Sequence, residues 1–141
     1  MSNLLKKSMI SYEVGESILT FGILSSNVVP PKPLYSYHSC VHCFYYACLQ
    51  RMLHVIDVHI PTKEQLSEDS TNRKATHKIA ESNIKNLLKG GNFTTFKTAF
   101  TILKELRLKA DYESEIIDWR KAEQARVNAS DILSIFNKNY P

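Results

Sequence analysis

The chain is short of residues that break regular structure. Its 141 residues include four glycines and five prolines, and four of those prolines lie in just two places. Long stretches without breakers favour helix. The three cysteines are an odd number clustered at positions 40, 43 and 48, which excludes a disulfide framework. No long apolar run is present. The nearly uncharged stretch 17–32 carries serines, an asparagine, a glycine and prolines, and is no membrane span. Lys6 and Lys7 are followed by Glu13, Gly15 and Glu16 rather than by the apolar core of a signal peptide, so a cytoplasmic protein with no membrane association is expected. No segment shows a strand's period of two, and there are no internal repeats or low-complexity tracts. Glycine-rich phosphate loops are also missing, because Gly90-Gly91 alone reads as a helix stop, and nothing calls for a cofactor. The net charge of +4 is modest; it permits contact with RNA or another polyanion without demanding it.

What is present is an ordinary globular balance, 43% hydrophobic and 23% charged, in a length that supports one domain with its own core. Five helices are predicted. The first spans about Leu4 to Leu24, with Ile10, Val14, Ile18 and Phe21 at helical spacing as its inward face. Ser25 to Pro33 is a stiff, proline-fixed connector. The second helix spans about Tyr35 to Asp57 and carries two apolar stripes: Val41, Tyr45, Cys48, Met52 and Val55, and Phe44, Leu49, Leu53 and Ile56. A helix apolar on most of its circumference is a central one. Residues 58–72 form a polar loop with little apolar surface to offset its ordering entropy, and are expected to be mobile. The third helix, about Arg73 to Lys89, turns Ala80, Ile84, Leu87 and Leu88 inward. The fourth starts near Thr94 or Thr95 as N-cap candidates, with Phe96, Ala99, Leu103, Leu106 and Ala110 as its seam. The fifth starts at Asp118 as N-cap, with Ala122, Ala125, Ala129, Ile132 and Phe136 inward. The fold expected is an all-α, antiparallel up-and-down bundle of four to five helices in a single domain over 1–141, its core within 11–137.

Several groupings could carry chemistry. His38, Cys40, His42 and Cys43 offer four potential ligands, but on one helix they cannot converge on a tetrahedral ion and no second pair follows, so no metal is expected; buried apolar cysteines are the plainer reading. No histidine stands in a triad arrangement. Tyr35, Tyr37, Tyr45 and Tyr46 could stack on a base, although such tyrosines are more often core residues. Lys97, Lys104, Arg107, Lys109, Arg120, Lys121 and Arg126 could form a phosphate-attracting ridge, or a solvated face interleaved with Glu105, Glu113, Glu115 and Glu123. Arg107 and Asp111 are four apart at the end of the fourth helix and share a face, with Tyr112 extending that polar end.

Three phrases, taken in order, carry a resemblance. They are Cys43-Phe44-Tyr45-Tyr46-Ala47-Cys48-Leu49 on the second helix, Thr76-His77-Lys78 opening the third, and Arg107-Leu108-Lys109-Ala110-Asp111-Tyr112 closing the fourth. Together with the tail from Ala122 to Phe136 they resemble the HEPN family (higher eukaryotes and prokaryotes nucleotide-binding), in its small prokaryotic branch. The resemblance implies a helical bundle, a homodimer, and a role in a toxin–antitoxin or defence system, with a minimal nucleotidyltransferase as a possible partner. It makes Arg107, Asp111 and Tyr112 the candidate catalytic residues, and Tyr45, Tyr46 and His77 candidates for ligand binding. Many members are ribonucleases with an Arg-x(4–6)-His motif. Here no histidine follows Arg107 at that spacing: Asp111 falls one residue short of it and Tyr112 stands at its first position, and the spacing from Arg73 to His77 is one residue too short as well. The expectation is therefore protein or nucleotide binding through a degenerate motif, with a metal-independent ribonuclease around Arg107, at a composite dimer-interface site, as the alternative.

Overall fold

A computed structural model describes residues 2–26, 36–60, 73–112 and 116–141, with the backbone alone at 22–26, 36, 73–76 and 112. Five helices follow one another: α1 (Asn3–Ser26), α2 (Ser36–His59), α3 (Arg73–Leu87), α4 (Gly91–Tyr112) and α5 (Trp119–Asn139). Among the described residues there is no strand, and no helix is long and apolar enough to cross a membrane. The connector and the loop expected to be mobile fall mostly outside the described residues; α2 itself runs on through Val58 to His59.

α2 is the central element and packs against each of the other four helices. Its first stripe, Val41, Tyr45, Cys48, Met52 and Val55, is closed to solvent, as are Phe44, Leu49 and Ile56 of the second. Burying a side chain of this size stabilises the fold by about 1.5–3 kcal/mol, so this helix anchors the core. α5 lies close to it through small residues: Ala122, Ala125 and Ala129 are fully buried with Ile132 and Phe136. The Cys48 thiol reaches the Ala129 carbonyl at 3.7 Å. The cap of α5 is as expected, with Asp118 Oδ1 accepting from the Lys121 N–H at 2.9 Å.

α1 departs from expectation. Ile10, Val14 and Phe21, predicted to face inward, are exposed, and Ile18 is half-buried. The covered face is instead Ser8, Tyr12, Gly15 and Leu19. The physical reason is closeness to α2. Ser8 Oγ donates to the Ala47 carbonyl at 2.7 Å, and Cys40 Sγ donates to the Gly15 carbonyl at 3.3 Å. A Cβ at Gly15 would stand 2.9 Å from Phe44 Cε1. Only very small residues fit such an approach, so the larger apolar ones turn outward.

α4 also starts earlier than its threonines suggest. It begins at Gly91, and Thr94 Oγ1 donates to the Gly90 carbonyl at 3.4 Å from within the first turn. The turn before it depends on Gly90, whose φ of 61° is costly for any residue with a Cβ. Phe96, Ala99, Leu103 and Leu106 are buried along the predicted seam, with Ala110 half-buried at its end. On α3, Ala80, Ile84 and Leu88 are buried and Leu87 packs against the same core.

Candidate functional site

The end of α4 meets the first half of α2 in a cluster of polar and aromatic side chains. Arg107 Nε donates to Asp111 Oδ2 at 3.2 Å, the contact that their spacing of four allows. The same oxygen lies 3.3 Å from Nδ1 of His42 on α2. An ionised carboxylate only accepts, so the imidazole is the donor there. The His42 side chain is 47% exposed, against 22% for Asp111 and 11% for Arg107. The cluster therefore has a covered side, the guanidinium, and an open side, the imidazole.

Aromatic rings set the position of the guanidinium. It lies over the ring of Tyr45, 4.9 Å from the centroid, and within 5.7 Å of that of Tyr46. Contacts of this kind are worth about 0.5–2 kcal/mol depending on desolvation. Tyr45 stacks on Phe100 with centroids 5.6 Å apart, and its hydroxyl lies 2.7 Å from His77 Nδ1. Burial pushes the Tyr45 hydroxyl well above its usual pKa, with Arg107 pulling the other way, so the phenol stays protonated. Tyr46 continues the array toward the surface, its ring 4.5 Å from that of His42.

Five of the residues expected to form the site thus come together: Tyr45, Tyr46, His77, Arg107 and Asp111. They do not have equal access to a ligand. Tyr45 is closed to solvent, so no base can stack on it, and it positions Arg107 and His77 instead. Tyr46 and His77 are half-buried. Tyr112 ends α4, and its side chain lies outside the described residues.

His42, which sequence reasoning weighed only as a metal ligand, joins this cluster. Its companions in that motif turn elsewhere. His38 Nε2 accepts from the Ile117 N–H at 3.4 Å, while the buried Cys40 thiol reaches Gly15. Among the described residues no group of three metal-ligating side chains converges. The basic ridge is interrupted by carboxylates: Lys104 Nζ donates to Glu81 at 2.9 Å, and Arg126 pairs with Glu123 through Nε at 3.0 and 3.1 Å. The Arg126 hydrogen bond, opposed by burial, holds the Glu123 carboxyl below its usual pKa.

Chemically, the cluster offers a fixed guanidinium, a carboxylate bridging it to an imidazole, and an aromatic edge. Because Asp111 takes Nδ1 of His42, Nε2 is left as the ring atom for other contacts. An imidazole held by a carboxylate through one nitrogen can hydrogen-bond a phosphate oxygen through the other. No protein-family model, curated protein or solved structure matches this chain.

Proposed function

We propose that this chain is a HEPN-like up-and-down bundle that binds RNA or a nucleotide at the His42–Asp111–Arg107 cluster, within a toxin–antitoxin or defence-type system. One observation carries the reading: Asp111 Oδ2 is shared by Arg107 Nε and His42 Nδ1, which gathers two phosphate-compatible groups beside the half-buried ring of Tyr46. Asp111 by itself would repel a phosphate. Its contact with Arg107 offsets that charge, and the exposed imidazole supplies the ligand-facing donor.

A second reading is favoured by the same contact. The histidine absent from the Arg-x(4–6)-His spacing is replaced in space by His42, brought from α2 to the carboxylate that Arg107 holds. With the imidazole moving a proton and the guanidinium countering charge on the phosphate, the cluster would act as a metal-independent ribonuclease. The homodimer implied by the resemblance has a surface available on α1, where Ile10 and Phe21 are 59% and 68% exposed, in line with Val14.

The test is fluorescence anisotropy of a labelled single-stranded RNA with wild-type protein, His42→Ala and Arg107→Ala. The same mixtures are then run on a gel after incubation with a chelator. Binding weakened about tenfold or more by His42→Ala supports the site, a loss of about 1.4 kcal/mol. Cleavage by wild type that both variants lose selects the ribonuclease reading. Equal binding by all three proteins sinks both. Co-purification with the product of the neighbouring gene, a minimal nucleotidyltransferase in the expected system, tests the partner.

A further inference from the structure

On the side of α2 away from this cluster, Arg51 is a buried cation with no counter-ion among the described residues. It is only 3% exposed, and no carboxylate pairs with it among the described residues. Its Nη2 donates to the Tyr140 carbonyl at 2.7 Å and to Asn137 Oδ1 at 3.2 Å. These partners lie at the C-terminal end of α5, whose dipole favours a cation. They do not satisfy the whole fork. Nε of Arg51 is buried and has no hydrogen-bond partner. Burial accordingly pushes the Arg51 pKa below its usual value, as expected for a charge taken from water without an ion to meet it.

Arg51 lines a groove of about 270 Å³ between α1 and α5. Leu5 and Met9 of α1 and Leu133 of α5 supply apolar wall, and Ser130 and Ser134 of α5 supply hydroxyls. The geometry points to a binding site for a small monocarboxylate with an apolar body, its carboxylate on Arg51 and its body along Leu5, Met9 and Leu133. The chemistry selects this class. A single guanidinium matches one carboxylate in charge and in fork geometry. Glu13 also lines the groove and opposes a more highly charged phosphate. The apolar walls suit a hydrocarbon body. A groove of this volume has room for a short hydrocarbon chain, and octanoate carries one.

The probe is octanoate, compared with octanol, which keeps the body and loses the charge, and with inorganic phosphate, which keeps a charge and loses the body. Each is titrated calorimetrically into wild type, Ser134→Trp and Arg51→Gln. Ser134 is exposed, so the tryptophan fills the groove without disturbing Arg51 or the core. Expected are saturable one-site binding of octanoate, at least tenfold weaker binding of octanol and of phosphate, and at least tenfold loss in Ser134→Trp at an unchanged melting temperature. Absent octanoate binding, octanol binding as tight as octanoate, or full affinity in Ser134→Trp overturns the site. Phosphate binding as tight as octanoate overturns the ligand class. A folded Arg51→Gln reduces octanoate to the octanol level, and full affinity in it contradicts the role of Arg51. Should that variant not fold, Ser134→Trp and the octanol comparison decide.

Discussion

Gly15→Ala is the most informative single substitution for the packing described above, because two effects of known size oppose each other there. In a helix interior alanine is favoured over glycine by about 0.8–1 kcal/mol, so propensity alone predicts a more stable protein. The structure predicts the reverse. The added methyl would meet Phe44 Cε1 at 2.9 Å, Cδ1 at 3.0 Å and Cζ at 3.1 Å, where carbon pairs prefer about 3.5–4.0 Å. The ring cannot swing aside freely, since Phe44 is fully buried and packs on Tyr12 with centroids 5.4 Å apart. Relief requires α1 to move off α2, which lengthens the Cys40–Gly15 contact. Overpacking of this kind costs about 1–3 kcal/mol, so a net loss of about 1 kcal/mol, up to 2, is expected. For a chain of this length that lowers the melting temperature by about 3–8 °C. Urea unfolding followed by circular dichroism measures it as a lower midpoint at unchanged slope. Gly91→Ala, where a Cβ meets nothing within 4 Å, is the control and is expected to be neutral or mildly stabilising. A Gly15→Ala protein as stable as wild type, or more so, would refute the close approach of α1 and α2.

Three further predictions follow from separate features. Burial, then Arg51, lowers the pKa of His54 from 6.5; the unfolded chain therefore binds that proton more tightly, and stability falls as pH drops below about 6.5 toward the folded value. His54→Gln should flatten this dependence in melting temperatures measured across pH, and an identical slope in wild type and variant would contradict it. Burial pushes Cys40 up to about 12 and Cys48 higher still, whereas Cys43 is only partly buried. Alkylation of the folded protein near pH 8 should therefore mark Cys43 first, with Cys40 and Cys48 requiring unfolding; simultaneous labelling of all three would contradict that order. Ile10→Asp combined with Phe21→Asp should convert a dimer to a monomer in light scattering while changing stability by no more than about 0.5 kcal/mol per site, and a wild-type monomer would remove the proposed use of this face.

Legibility differed from helix to helix for physical reasons. The seams of α4 and α5, and the two stripes of α2, were plain in the sequence because each has one buried answer at helical spacing. α1 is apolar on two sides, and periodicity cannot say which side a neighbour covers. Ser8 and Gly15, seven apart and in line with Leu19, were the available signal, since small residues mark a close approach. Within the site, the Arg107–Asp111 contact follows from spacing alone. His42 joins it from 69 positions away, and only tertiary packing brings that about. Arg51 had a faint signal, as a lone cation between Leu49 and Met52 on an otherwise enclosed stretch of helix.

The central claim, that a ligand meets the bundle at His42 beside Arg107 and Asp111, is tested most directly by the histidine ring resonances during an RNA titration. His42 has the exposed ring in the cluster, while His54 contacts Ser2 and His59 lies against Tyr140, both toward the other end of α2. The account predicts that the His42 signal moves saturably with RNA while those of His54 and His59 stay in place, and that Arg107→Ala weakens the effect. A stationary His42 signal, or equal movement of all three, would contradict it.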